Sequence, residues 1–114
     1  MAKWVFFGES EVVGLNHELV AMLDMARKYA GVPFIIKCGL RTPERNAQVD
    51  GVEDSAHITG LAVDIAVSDS DRRFKIVSGA LQAGFKRIGV YDRSLHLDID
   101  KSKPQNVIWW GVSK

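Results

Sequence analysis

Apolar residues recur at helical spacing near the start of the chain, and this pattern predicts an amphipathic helix over residues 16–30. Asn16 is a candidate N-cap, while Gly31 and Pro33 are typical of a helix end. The residues expected on the buried face are Leu15, Leu19, Met22, Leu23, Ala26 and Tyr29. We interpret this face as core rather than as part of a site.

A second helical pattern begins at Ser68 or Asp69 and ends near Ala83. The residues expected in its buried stripe are Phe74, Val77, Ala80 and Leu81. Between the two long helices, a shorter helix is predicted over residues 42–49, where a Thr-Pro pair is typical of a helix start. Residues 50–56 contain little apolar content and are expected to form a loop.

Four stretches have the short apolar or alternating pattern of β-strands, namely residues 34–38, 61–67, 87–91 and 95–100. The last two are separated by a short turn and predict a hairpin. The tail carries Trp109 and Trp110, and we expect it to add an edge strand or to pack on the core. Together the elements predict an α+β fold, a small antiparallel sheet flanked by helices.

Length and composition limit the possibilities further. A chain of 114 residues is expected to form one domain over residues 1–114, and an apolar fraction of 46% allows a core without disulfides. The net charge of +1 gives no electrostatic case for a nucleic-acid partner, which would call for a basic face. The single cysteine, Cys38, ends an apolar run and is expected to be a buried structural thiol. We expect a monomer.

The N-terminal residues MAKWVFFGES lack the long apolar stretch of a signal peptide, and no segment has the length of a membrane span. We therefore expect synthesis in the cytosol. A substrate outside the cytosol would then require release of the protein by other means.

The candidate chemistry lies in the run SAHITGLAVD, which places His57 and Asp64 seven positions apart. His96 follows in the strand-like run LHLDID. Two imidazoles and a carboxylate suit Zn²⁺, and three protein ligands leave a fourth position for water. From chemistry alone, a metal site and ordinary surface or core residues are about equally good interpretations.

The same residues resemble the zinc-ligand pattern of the M15 peptidases, which include D-alanyl-D-alanine carboxypeptidases and phage endolysins. Their pattern is SxHxxGxAxD followed by a second His near the C-terminus. The segment GLRTPERNAQV is similar to a further family stretch, with Cys38 and Leu40 replacing the usual Ser and aromatic residue. The resemblance implies a zinc peptidase, with ligands His57, Asp64 and His96, that acts on the stem peptide of peptidoglycan.

This chain departs from the family pattern at the position of the general base. Many M15 members carry Glu or Asp three residues before the last His, where this chain has Arg93. Asp92 is one position further back and is our slightly favoured base. Asp98 lies on the His96 face of the strand and is expected to orient His96.

Two residues outside the ligand set are candidates for substrate contact. The resemblance implies that Arg41 binds a substrate carboxylate, although it could instead form a surface pair with Glu44 or Asp50. Ser55 could orient a ligand or touch substrate, or be a simple loop hydroxyl. His17 has no metal-ligand partner at suitable spacing and is expected to be a surface residue.

Two other functions stay open at this point. A zinc-dependent wall-binding module without a catalytic base is one, and a metal-free structural domain of a phage particle is the other. Carboxypeptidase and endopeptidase activities use the same ligands, so the pattern does not separate them.

Overall fold

The computed structural model describes residues 4–39 and 59–112, and the following account concerns these residues. A short 3-10 helix, Glu9–Val12, precedes two long helices and five strands. The helices are α1 (His17–Ala30) and α2 (Ser70–Ala83). The strands are β1 (Ile35–Cys38), β2 (Ala62–Ala66), β3 (Arg87–Tyr91), β4 (Ser94–Asp98) and β5 (Val107–Gly111). The helix expected over 42–49, the loop over 50–56 and the Cys38 side chain lie outside the described residues.

Helix α1 confirms the first helical prediction, including its ends. The Asn16 side chain accepts hydrogen bonds from the backbone N–H groups of Glu18 and Leu19. Gly31 ends the helix with a φ of 72° and donates to the Arg27 carbonyl. The prediction for Tyr29 is wrong, because this residue is 44% exposed.

Helix α2 has the predicted bounds, with the Asp69 side chain as N-cap. Its predicted buried stripe is partly wrong: Ala80 is buried, but Phe74 and Leu81 are 74% and 52% exposed. The reason is a close approach of the helices at Gly79, where an added Cβ would lie 2.4 Å from the Ala26 carbonyl oxygen. The buried side of α2 therefore consists of Ile76, Gly79 and Ala80 rather than the predicted stripe.

The five strands form one sheet in the order β1-β2-β4-β3-β5. Three neighbouring pairs are antiparallel, but β3 and β5 are parallel, so the sheet is mixed rather than antiparallel as predicted. Strand β5 starts opposite Arg87, at the end of the sheet where β4 finishes. It therefore runs against β4 and in the same direction as β3.

The core lies between the helices and one face of the central strands. Val63 and Ile65 of β2 and Leu95 and Leu97 of β4 have no exposed surface and belong to the same apolar cluster as the buried residues of both helices. Alternate residues of these strands point to the opposite face. That face carries the candidate site. Within the described ranges, no helix is long and apolar enough to cross a membrane.

Candidate functional site

Asp64 and His96 are directly opposite each other on the neighbouring strands β2 and β4. Their side chains share the face away from the helices, and Asp64 Oδ1 lies 3.2 Å from His96 Nδ1. Both side chains are largely but not fully buried. Strand register thus brings together two residues that are 32 positions apart in the chain.

Asp98 lies on the other side of the His96 ring. Its Oδ2 is 2.6 Å from His96 Nε2, and the two residues share a face because they are two positions apart on β4. Its Oδ1 accepts hydrogen bonds from Arg87 Nε at 2.8 Å and from the Asp100 backbone N–H at 3.0 Å. Asp98 is 2% exposed, and its carboxylate accepts hydrogen bonds from three donors.

These contacts shift the protonation equilibria of the site. Burial, the largest influence, lowers the pKa of His96, but hydrogen bonds and negative charge from Asp64 and Asp98 outweigh it and raise the pKa above 6.5. Burial likewise raises the pKa of Asp98, but the His96 contact, the Asp100 N–H and the Arg87 charge together lower it below 3.8. Asp98 is therefore ionised and can only accept, so His96 Nε2–H is the donor.

Gly60 shapes the chain just before β2. Its φ is +75°, and an added Cβ would lie 2.6 Å from the Gly14 carbonyl oxygen. The Asn16 backbone N–H also donates to the Gly60 carbonyl at 2.9 Å. Gly60 therefore holds the start of β2 against the start of α1, in a conformation that favours glycine.

Arg87 and Trp109 are site residues that the sequence did not predict. Arg87 contacts Asp98, and its guanidinium carbon lies 5.0 Å from the centre of the Trp109 ring. The Trp109 ring in turn lies 5.4 Å from the His96 ring, centre to centre. Alternation along the strand places Arg87 on one face, but its partners become evident only from the register of three strands.

Asp92 lies in the turn between β3 and β4, apart from the Asp64 and His96 pair. Its carboxylate is 3.9 Å from Arg93 Nε, and its backbone carbonyl accepts a hydrogen bond from Arg73. It lies four positions before His96 in the chain, which is about 13 Å along an extended strand. A base role for Asp92 therefore stays a prediction, and it would require movement of the turn.

The remaining predicted site residues, Arg41, Ser55 and His57, lie outside the described residues. Among residues 4–39 and 59–112, no cluster of three His, Cys, Asp or Glu side chains could hold a metal ion. Two of the three predicted ligands are described and adjacent: Asp64 offers a carboxylate oxygen and His96 an imidazole nitrogen, both of which zinc accepts. Because Nε2 donates to Asp98, a metal would be bound through Nδ1, the nitrogen that faces Asp64.

His17, expected at the surface, is exposed in α1 and lies edge-on to Trp4, with 6.1 Å between ring centres. It belongs to helix α1, whereas Asp64 and His96 belong to the sheet. This exposed histidine is a useful control for substitutions in the site.

Comparisons with known proteins bear on the family and the fold of the chain. The family model described as Peptidase M15 matches residues 6–100. Among solved structures, the chain is similar to the Serratia marcescens L-Ala D-Glu endopeptidase ChiX, with a TM-score of 0.66 and 22% sequence identity over 80% of this chain and 84% of that one. At this identity the likeness shows the fold. A search of curated proteins found no significant match.

Proposed function

The chain belongs to the peptidase M15 family, and we propose that it is a zinc-dependent metallopeptidase that hydrolyses an amide bond in the peptide part of bacterial peptidoglycan. The observation that carries the proposal is the distance of 3.2 Å between Asp64 Oδ1 and His96 Nδ1. These are the kinds of oxygen and nitrogen donors that zinc accepts. We propose His57 as the third ligand, on the strength of the family pattern.

Each residue around the pair has a role in this proposal. Asp98 accepts the Nε2–H of His96 and keeps the ring from turning over, and Arg87 balances the Asp98 charge. When bound, zinc would polarise the substrate carbonyl and lower the pKa of a bound water molecule. Arg41 is proposed to bind a substrate carboxylate, and Ser55 to orient a ligand or contact substrate.

Amide hydrolysis also needs a group that accepts a proton from water and returns it to the leaving amine. Asp98 is the further carboxylate that contacts His96 within the described residues, but its two oxygens already accept from three donors. These contacts support an orienting role for Asp98. Asp92 is retained as the proposed base, reached by movement of the turn.

The bond is the next part of the proposal. The structural neighbour ChiX is an L-Ala D-Glu endopeptidase by its title. Its fold likeness makes the bond between L-alanine and D-glutamate the first to assay. Removal of a terminal D-alanine, the carboxypeptidase alternative, is the second.

The test is mass spectrometry of muropeptides incubated with the zinc-loaded protein. Cleavage between L-alanine and D-glutamate identifies an endopeptidase, and release of free D-alanine identifies a carboxypeptidase. His96→Ala should remove both zinc uptake and cleavage, whereas His17→Ala should keep both. Uptake of well under one zinc per chain by the wild type would refute the metal site.

One observation favours a second candidate, a zinc-dependent wall-binding module without catalysis. Arg93 replaces the acidic residue of many relatives, and its side chain is well exposed beside Asp92. A wild-type protein that binds zinc and sediments with purified peptidoglycan, yet releases no fragment, would establish this function instead.

A further inference from the structure

Trp109 lies next to His96 on the side away from Asp64. Cross-strand pairing places Asp64 opposite His96, His96 opposite Gly89, and Gly89 opposite Trp109. The rings of His96 and Trp109 are 5.4 Å apart and tilted by 51°. We propose that Trp109 is a positioning residue that fixes the plane of the His96 ring, so that Nδ1 stays directed at Asp64. The inference rests on the proposed function in taking His96 as a metal ligand.

Gly89 allows Trp109 to reach His96. An added Cβ at this glycine would lie 2.8 Å from Cε2 and Nε1 of the indole. Such contacts are shorter than packing allows, so any side chain here would displace the ring. The indole therefore lies directly over the β3 backbone, between its own strand and β4.

The Trp109 indole also contacts Tyr91 through its N–H group and Arg87 through its ring face. Trp109 Nε1–H donates to the Tyr91 hydroxyl at 2.9 Å. The Arg87 guanidinium lies over the ring at 5.0 Å while its Nε donates to Asp98. Arg87 thus joins the indole to the carboxylate that binds the other edge of His96. Orientation of the histidine and placement of the tryptophan are parts of one network.

The need for such a contact follows from the torsions of histidine. Rotation of an imidazole about its last side-chain bond has broad minima, so packing defines the ring plane. Asp98 contacts the ring at Nε2 and Asp64 contacts it at Nδ1, so both contacts lie along the ring edge. Trp109 adds a ring contact from the side of β4 opposite Asp64, with 5.4 Å between ring centres. Residues that orient metal ligands in this way commonly change metal affinity when they are replaced.

The family match ends at residue 100, before the strand that carries this residue. The proposed role of Trp109 rests on the contacts of β5, outside the matched residues. The same strand supplies a matched control. Trp110 is the next residue, points to the opposite sheet face and is 79% exposed.

The first measurement uses zinc-free protein, so that its result is informative whether or not the protein binds zinc. The exchange with water of the His96 Nε2 proton, and the line width of the His96 ring signals, are measured by nuclear magnetic resonance. Trp109→Ala should accelerate this exchange and broaden the signals, and Trp109→Phe should have a smaller effect. Gly89→Ala should reproduce the loss by displacing an intact indole, whereas Trp110→Ala should leave His96 unchanged.

The second measurement is zinc affinity, by competition with a chelator. Trp109→Ala should weaken it by about 10-fold, with no change in Trp110→Ala. Unchanged His96 signals in folded Trp109→Ala or Trp109→Phe would overturn the proposal, and so would equal losses in the variants of Trp109 and Trp110. If the wild type takes up no zinc, the proposed function fails, while the zinc-free measurement still decides the role of Trp109.

Discussion

Strands β2 and β4 carry the hydrophobic core on one face and the candidate site on the other. On the helix side, Ile65 and Leu97 are fully buried and belong to the apolar core cluster. On the opposite side, Asp64 and His96 are held by specific polar contacts. The comparison shows that the alternation of a strand separates stability from chemistry along the same ten residues of backbone.

The two faces should respond differently to substitution. The helix face depends on volume, because a lost methyl group leaves a cavity in close-packed surroundings. The site face depends on donors, acceptors and charges, whose removal changes binding more than folding. The following predictions test this division, from the largest expected effect to the smallest.

Truncation on the helix face should have the largest effect on folding. Leu97→Ala should lower the free energy of unfolding by about 2–5 kcal/mol, because it creates a buried cavity. The exposed Phe74 of α2 provides the control, since Phe74→Ala should stay within about 0.5 kcal/mol. Denaturant unfolding measures both. If the two variants lost equal stability, the assigned buried face of the sheet would be wrong.

Zinc should stabilise the folded protein, and this stabilisation should depend on the residues of the site face and not on those of the helix face. A ligand that binds only the folded protein at 100 times its dissociation constant adds about 2.7 kcal/mol. Thermal unfolding with zinc and with excess chelator measures this difference. His96→Ala should show no zinc-dependent shift, while Leu97→Ala should keep the shift at temperatures where it is folded. A wild-type melting curve that is the same in both conditions would contradict the metal site.

Replacing Asp92 and replacing Asp98 should have different effects on activity and on zinc affinity. Asp92→Asn should lower turnover by about 10²-fold with zinc retained, if Asp92 is the base. Asp98→Asn should weaken zinc affinity by about 10-fold, with activity recovering at high zinc, because it loses the acceptor for His96. Steady-state kinetics across zinc concentrations separates the two. The opposite pattern would assign the base to Asp98, and full activity in both would exclude both.

The smallest expected effect is a pH dependence of stability that comes from the site face. Asp98 has a lowered pKa, so its contribution is complete above 3.8 and is lost as the pH falls through its folded value. His96 has a raised pKa, so its contribution is complete below 6.5 and is lost as the pH rises through its folded value. Thermal unfolding of zinc-free protein should show both slopes, and His96→Ala should lack the alkaline one. Retention of that slope in His96→Ala would assign it to another group.

Much of this molecule was predictable from local patterns. The ends of α1 and α2 follow from Asn16, Asp69 and the glycines after each helix, because capping depends on neighbouring residues. The strands containing Asp64 and His96 were predicted within one or two residues, because their apolar positions alternate. The family was also evident, because its motif spacing lies within the sequence.

Other features were decided by tertiary structure. The exposure of Phe74 and the burial of Gly79 depend on how closely α2 approaches α1, which hydrophobicity does not encode. The parallel pairing of β3 and β5 depends on where the chain re-enters the sheet after residue 98.

The sequence by itself determined which residues carry donor atoms and which elements they occupy. Tertiary structure alone decided that Arg87 contacts Asp98 and that Trp109 lies beside His96, because these contacts depend on the register of three strands. Alternation fixes the face on which a side chain lies, but a neighbour across the sheet is set by long-range pairing. The residues that could bind zinc are therefore a property of the motif, whereas the orientation of His96 is a property of the whole sheet.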